Sequence, residues 1–388
     1  MYSINSYTGA DLPDKTLCLT YDDGPGQYTN EIARFLHHQK VPATFFVVGK
    51  YAYHYPEILN NLKEWGHLVG NHTYDHPDLP FYLSVNGDVQ HQILRTDTII
   101  KKYVSTDKIY FRSPYGKWSK EVADELNSNM LTAINHVGPV YWDVGGIDCH
   151  YWKSDLSVGE AVAKYLAEIR EKNHGIIVMH DDIADMDEVK QKNNTLQLTK
   201  ELIPLLKEQG YRFIRLDEIE SVKKASDETA LFTLRGSNGK YIALSKIDKY
   251  AINVDGKLND PLTRIGVVDL GFGKVALKAS NGLYLNSGGG LHHEIFANSN
   301  ELNSYESFDL IPITSGKVTF RSASGRFLAM ESKFGGKLLA NAQYMRTGEQ
   351  FTFKPVNMPV SKSVSVKSRI RQLRRQMLYI KSKIQAAK

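Results

Sequence analysis

Two adjacent carboxylates and two histidines have the clearest chemistry in this sequence. Asp22 and Asp23 directly follow the apolar run 16–21, and His72 and His76 follow a later apolar run. Like charges at the end of a buried strand are costly to hold unless a cation neutralises them. Two histidines and one carboxylate are the ligand set of an open catalytic zinc site. Because adjacent side chains of a strand point to opposite faces, we expect one aspartate to coordinate and the other to reach the reacting water.

Three further polar residues lie at or near strand-like runs farther along the chain. Arg112 lies in the stretch FRSPYG, and an arginine beside a buried carboxylate would hold it ionised and oriented. His180 ends the run IIVMH and is a candidate general acid, and Asp148 is a candidate to orient it and keep it protonated. Taken singly, each is more simply a salt-bridge or loop residue. Five signatures in order at successive strand ends predict one shared site.

The elements that must position these residues alternate regularly between Thr16 and Ile219. Short apolar runs such as TLCLTY, ATFFVVG and GIIVMHD read as strands, and segments with helical spacing such as 30–39, 89–103 and 158–172 lie between them. This alternation predicts a parallel sheet with helices outside, and about seven such units predict a barrel. In such barrels the chemistry gathers at the carboxyl ends of the strands.

The ordered motifs are similar to those of a known family. TYDDG, HTYDH, RSPY, the WD…D segment of 142–148 and VMHD resemble the five motifs of NodB-like polysaccharide deacetylases, carbohydrate esterase family four. The resemblance covers about residues 14–220. It implies a distorted (β/α) barrel and one divalent metal per chain held by Asp23, His72 and His76. The metal implied is Zn²⁺, with Co²⁺, Ni²⁺ or Mn²⁺ as alternatives.

The same resemblance implies a role for each remaining motif residue. Asp22 would be the general base, oriented by Arg112. His180 would be the general acid, with Asp148 behind it. The backbone N–H of Tyr115 would donate to the oxyanion of the tetrahedral intermediate.

One position departs from the family pattern. The family usually places tryptophan directly after the motif-four aspartate, whereas Cys149 follows Asp148 here. Trp142 or Trp152 is the candidate to replace that wall of the substrate groove, and we expect Trp142 to contact substrate.

The C-terminal part carries an internal repeat. Gly239, Gly282 and Gly325 are 43 residues apart, each within an Asn-Gly or Ser-Gly hairpin signal between apolar segments. Three units over 228–356 predict a closed threefold β structure that resembles a β-trefoil, fascin-like because no Gln-x-Trp signature is present. We therefore expect a catalytic domain over 1–222, a charged linker over 221–229, the trefoil over 228–356 and a basic tail over 358–388.

Positive charge is concentrated in that tail. The net charge is +5, yet residues 358–388 hold nine Lys or Arg and no acid, which leaves −4 for residues 1–357. Nucleic-acid binding by the main body is therefore not predicted. Apolar residues spaced by three and four predict a basic amphipathic helix. Contact with an anionic surface, self-association and a simply solvated helix remain open for it.

The function that the resemblance implies is hydrolytic removal of N-acetyl groups from a GlcNAc-containing glycan, which gives acetate and a free amino sugar. Chitin oligomers, peptidoglycan and exopolysaccharide are the candidate substrates. The alternatives are O-deacetylation of an acetylxylan-type glycan and non-catalytic binding of a glycan or protein through the trefoil. The N-terminus lacks a basic region followed by an apolar core, so we expect a cytoplasmic protein or a processed exported form.

Overall fold

The structure is a computed structural model that describes residues 1–288, 293–314, 316–331 and 336–356. The basic tail predicted over 358–388 lies outside these residues. None of the helices within them is long and apolar enough to span a membrane.

The first part of the chain forms a parallel sheet. Its strands are β1 (Tyr2–Tyr7), β2 (Thr16–Asp22), β3 (Ala43–Val47), β4 (Leu68–Asn71), β5 (Ile109–Tyr110), β6 (His136–Val140), β7 (Val144–Gly145), β8 (Gly175–His180) and β9 (Arg212–Ile214). One sheet has the order β4-β3-β2-β8-β7, with β9 paired to the start of β2, and a second has the order β1-β6-β5. A parallel bridge between Asn71 and Phe111 joins them. The predicted parallel sheet is confirmed, and its carboxyl ends form one edge.

Helices cover this sheet. They are α1 (Thr29–His38), α2 (Gly49–Ala52), α3 (Pro56–Glu64), α4 (Leu79–Ser84), α5 (Val89–Ile100), α6 (Lys120–Asn127), α7 (Met130–Asn135), α8 (Asp148–Lys153), α9 (Val158–Lys172), α10 (Asp187–Lys190), α11 (Thr195–Glu208) and α12 (Glu220–Asp227). Every residue of β2 and β3 is buried, because one face of these strands packs against helices and the other faces residues of other strands. The helix predicted over 158–172 is α9, and a capping box between Ser157 and Glu160 fixes its start.

The second part of the chain is all β. Its strands are β10 (Ala230–Gly236), β11 (Tyr241–Leu244), β12 (Ile252–Gly256), β13 (Ile265–Gly271), β14 (Lys274–Lys278), β15 (Tyr284–Asn286), β16 (Phe296–Ser299), β17 (Ser307–Thr314), β18 (Lys317–Ser322), β19 (Phe327–Glu331), β20 (Lys337–Ala342) and β21 (Phe351–Pro355). Antiparallel pairs β10–β13, β13–β14, β14–β17, β17–β18, β18–β21 and β21–β10 close a ring. The pairs β11–β12, β15–β16 and β19–β20 form hairpins outside it. The predicted closed β structure is confirmed.

Helix α7 of the first part packs against the β ring of the second part. Met130, Ala133 and Ile134 are buried in the same apolar cluster as the core of the ring, which includes Phe353. Asn135 ends α7 and the next residue starts β6, so α7 lies at the amino-terminal edge of the parallel sheet. The β ring therefore packs at the edge opposite the carboxyl ends of the strands.

The chain between the two parts is not the linker that the sequence predicts over 221–229. Residues 220–227 form helix α12, and Val222 is fully buried beside Leu216 and Ile219. Only Val222 and Ala225 are apolar in this helix, and two such residues among polar neighbours gave too weak a periodicity to indicate that it is docked.

We expect Ile134→Ala to lower the free energy of unfolding by about 2–5 kcal/mol, because the variant leaves a cavity between α7 and the ring. Ile247→Ala is the matched control, since Ile247 is 100% exposed on the ring part of the chain. Urea unfolding of both variants measures the difference. A loss below ~0.5 kcal/mol for Ile134→Ala would contradict the packing, because that is the range of ordinary surface substitutions.

Candidate active site

The two aspartates separate because the chain turns between them. Asp22 is the last residue of β2, and Asp23 follows with a left-handed φ of 76°. The alternation of strand side chains that the sequence suggested is therefore not what parts the two carboxylates. Both are buried, and the Nη1 atom of Arg112 donates to Oδ1 of Asp22 over 2.7 Å.

Asp23 faces two histidines from the segment after β4. Its Oδ1 atom lies 3.4 Å from Nε2 of His72 and 3.1 Å from Nε2 of His76. One potential ligand atom from each of these three buried residues lies within 4.8 Å of the other two. Among the described residues this is the one group of histidine, cysteine and acidic side chains close enough to hold a metal ion.

The partner of each Nδ1 atom orients its imidazole ring so that both Nε2 atoms face Asp23. Nδ1 of His72 lies 2.8 Å from the backbone carbonyl of Arg112, and Nδ1 of His76 lies 2.5 Å from Oδ2 of Asp185. An Nδ1–H that donates to these oxygens leaves the Nε2 lone pair free to coordinate. The donor set of two nitrogens and one carboxylate oxygen therefore fits a divalent cation such as zinc.

The charges of this cluster favour a cation in the same place. Burial alone would raise the pKa of the Asp23 carboxyl, but His76 and His72 hold it well below its usual range. Burial would lower the pKa of His76, but Asp23 and Asp185 raise it to about 9. The carboxylates of Asp23 and Asp185 therefore stabilise positive charge at this place.

Arg112 is held rigidly beneath Asp22. Its side chain is fully buried, and besides Asp22 its Nη1 atom donates to Oγ1 of Thr20 over 2.7 Å. Thr20 in turn donates to the carbonyl of Ile177 over 2.7 Å. The guanidinium lies 4.3 Å from the centre of the Phe46 ring. This arrangement leaves Oδ2 of Asp22 on the side of His72, 3.9 Å from its Nε2 atom.

His180 stands beside Asp22 across the sheet, because the two are register partners of β8 and β2. Its Nδ1 lies 2.7 Å from Oδ1 of the fully buried Asp148, and its backbone N–H donates to Oδ2 over 2.7 Å. Thr195 also donates to Oδ2, over 3.2 Å. The structure thus brings Asp148 against His180 although Cys149 follows it. Burial would lower the pKa of His180, but Asp148 raises it well above the ordinary histidine value.

Tyr115 lies beside His76, and Trp142 lies beside the turn that carries Tyr115. Tyr115 has a φ of 57° in the turn Pro114–Gly116, and its ring centre lies 4.7 Å from that of His76. Trp142 stacks on Tyr141 with ring centres 4.2 Å apart, and a Cβ atom added to Gly116 would meet its ring. Trp142, rather than Trp152, therefore lies beside the Tyr115 turn. Trp152 is buried and donates to Thr195, behind Asp148.

Sequence reasoning missed three residues that support the site: Thr20, Thr195 and Asp185. Thr20 lies inside the first motif, and its position before the two aspartates was a usable signal. Thr195 is the first residue of α11 and Asp185 lies in the loop after β8, and neither position has a local pattern that points to the site. A carboxylate behind a metal-binding histidine is a general expectation, but the spacing along the chain does not identify which one.

Comparisons with known proteins identify the family of this chain. A family model for polysaccharide deacetylase matches residues 9–134. A chitooligosaccharide deacetylase of Sinorhizobium fredii is 34% identical over 203 residues, which are 50% of this chain and 86% of that protein. The chain belongs to the polysaccharide deacetylase family. It is accordingly a deacetylase, a hydrolase of a family whose members depend on a metal.

Two further relatives match a similar share of the chain. The peptidoglycan-N-acetylglucosamine deacetylase PgdA of Listeria monocytogenes is 31% identical over 54% of this chain and 40% of its own length. The crystal structure of the Bc1960 peptidoglycan N-acetylglucosamine deacetylase with a naphthalenyl N-hydroxybenzamide is 25% identical, with a TM-score of 0.45, over 57% of this chain and 93% of that one.

The contact between His180 and Asp148 predicts a change in pH dependence. Asp148→Asn removes the charge that raises the pKa of His180, so the alkaline limb of kcat/KM should move to lower pH by about 1–3 units. Asp143→Asn is the control, because Asp143 binds the backbone N–H groups of Gly9 and Ile176 instead. Initial rates from pH 5 to 11 measure both variants. An alkaline limb that stays in place in Asp148→Asn would contradict the assignment of His180.

Proposed function

We propose that this chain hydrolyses the N-acetyl group of a GlcNAc-containing glycan and releases acetate and a free amino sugar. The observation that carries the proposal is the convergence of Asp23, His72 and His76 within 4.8 Å. Asp22 and the His180–Asp148 pair flank that cluster at the same edge of the sheet. A cation site between a carboxylate base and a protonated imidazole suits amide hydrolysis.

The cation is proposed to be Zn²⁺, with Co²⁺, Ni²⁺ and Mn²⁺ as alternatives, because imidazole and carboxylate donors suit all four. When bound, such an ion polarises the acetamide carbonyl and lowers the pKa of water towards neutrality.

The chain's own residues supply the proton transfers. Asp22, oriented by Arg112, accepts a proton from the attacking water. The backbone N–H of Tyr115 donates to the oxygen that becomes negative in the tetrahedral intermediate. His180 carries a proton on Nε2 while Asp148 holds its Nδ1–H, and it gives that proton to the departing nitrogen. Trp142 provides an apolar face for a sugar ring beside the Tyr115 turn.

A chitin-type oligomer is the substrate that the relatives favour most. The chitooligosaccharide deacetylase of Sinorhizobium fredii is matched over 86% of its length, whereas PgdA is matched over 40%. Peptidoglycan and exopolysaccharide remain candidate substrates.

We further propose that residues 1–222 form the deacetylase domain, as a distorted (β/α) barrel, and that 228–356 form a fascin-like β-trefoil. A six-stranded ring with three outer hairpins at intervals of 43 residues supports the trefoil. Because α7 holds the ring at the amino-terminal edge of the sheet, the ring supplies no contact to the reacting atoms. A glycan or protein bound there would act by recruitment.

O-deacetylation of acetylxylan is the second candidate function, since the same residues would serve it. The contact between Nδ1 of His180 and Oδ1 of Asp148, which lie 2.7 Å apart, favours the amide. A sugar nitrogen must be protonated to leave, whereas an alkoxide departs more readily, and Asp148 raises the pKa of His180 well above its ordinary value.

Acetate release from chitotriose to chitohexaose, peptidoglycan and acetylxylan tests the proposal. After removal of metal with a chelator and addition of Zn²⁺, we expect acetate and an equal amount of free amine from the GlcNAc oligomers. His180→Gln should reduce this release by about 10²–10⁴-fold, because no proton reaches the nitrogen. Acetate from acetylxylan alone would establish the ester function instead. A protein that binds Zn²⁺ and releases acetate from none of these glycans would contradict both enzymatic functions.

A further inference from the structure

Asp185 joins two parts of the site that come from different segments of the chain. Its Oδ2 atom lies 2.5 Å from Nδ1 of His76 and also accepts a hydrogen bond from the Tyr115 hydroxyl. His76 follows β4, Tyr115 follows β5, and Asp185 lies in the segment after β8. One carboxylate oxygen therefore fixes a metal-ligand candidate and the turn that carries the oxyanion donor.

The segment that carries Asp185 is anchored to the rest of the site. The backbone N–H of Ala184 donates to Oδ2 of Asp23 over 3.0 Å. The Tyr51 hydroxyl donates to the carbonyl of Ala184 over 3.0 Å. Asp23 thus uses one oxygen towards the histidines and the other to hold the residue before Asp185. Since Asp23 and Tyr51 hold both the N–H and the carbonyl of Ala184, the position of the neighbouring Asp185 is set by the fold.

Asp185 is not placed to be a ligand itself. It contacts Nδ1 of His76, on the side of the ring away from the Nε2 atom that faces Asp23. A carboxylate in that place accepts the Nδ1–H, selects the tautomer with a free Nε2 lone pair and makes the imidazole a stronger donor. For His72 the partner of Nδ1 is a neutral backbone carbonyl, that of Arg112. Of the two histidines, only His76 therefore has a charged partner at Nδ1.

We propose that Asp185 is a positioning residue that sets the cation affinity of the site through His76 and holds the Tyr115 turn in place. The proposal rests on the function proposed above only in taking His76 as a ligand. It predicts two separable effects. Loss of the Asp185 carboxylate weakens both cation binding and turnover, whereas loss of the Tyr115 hydroxyl alone leaves the bond to His76 intact and affects turnover.

The test is the Kd for Zn²⁺, measured by competition with a chromophoric chelator on the metal-free full chain. Asp185→Ala should weaken binding by about 10- to 100-fold, as other carboxylate partners of metal-binding histidines do. Asp185→Asn should lose less, because its amide oxygen still accepts from Nδ1 of His76. Tyr115→Phe should keep the Kd of the parent within about threefold while kcat falls.

Asp187→Ala is the matched control, because its carboxylate lies two residues away, is 91% exposed and pairs with Lys190. Its Kd should equal that of the parent chain. If the parent binds Zn²⁺ and Asp185→Ala binds it equally well, the role of Asp185 is refuted and the proposed function stands. If the parent itself binds no Zn²⁺, the metal site fails. Should Asp185→Ala not fold, Asp185→Asn decides, since an unchanged Kd together with an unchanged kcat in that variant refutes the proposal.

Discussion

The structure depends on how it holds two adjacent carboxylates away from water. Asp22 and Asp23 are both buried, and neither charge would be tolerated there without a positive partner. Asp22 has a permanent one, because the guanidinium of Arg112 is fully buried against it. Asp23 has two imidazoles whose Nε2 atoms lie 3.4 Å and 3.1 Å from its Oδ1 atom, a donor set that fits a divalent cation. Asp22 therefore has an arginine as its partner and Asp23 has two histidines, and this difference suits the two neighbouring aspartates to different roles.

The parallel sheet makes this arrangement possible with short motifs far apart in sequence. β2 lies between β8 and β3, so Asp22 and His180 become register partners although 158 positions separate them. The backbone N–H of Arg112 donates to the carbonyl of Asn71, which places Arg112 next to the end of β4 and the histidines that follow it. Each motif lies at or shortly after the carboxyl end of a strand, so the motifs meet at the common edge of the sheet. The β ring packs at the other edge, against α7.

Much of this could be predicted from sequence, and the failures have physical reasons. Apolar runs and helical spacing gave the sheet and its helices, because burial on both faces imposes a strong pattern. The 43-residue repeat gave the closed β structure. The left-handed turn at Asp23 could not be predicted, since nothing local marks a non-glycine residue with positive φ. Asp185 was missed because its partners come from distant segments, and α7 was missed because its apolar face is explained only by the ring that covers it.

The most direct test of this account compares Asp22→Asn with Asp23→Asn for metal content and acetate release. If Asp23 is a ligand, Asp23→Asn should lose metal, and added Zn²⁺ should partly restore turnover. If Asp22 is the base, Asp22→Asn should keep its metal while turnover falls by about 10²–10⁴-fold, and added Zn²⁺ should not restore it. Loss of metal in Asp22→Asn with retention in Asp23→Asn would reverse the two roles. Full metal content and full activity in both variants would show that the site lies elsewhere.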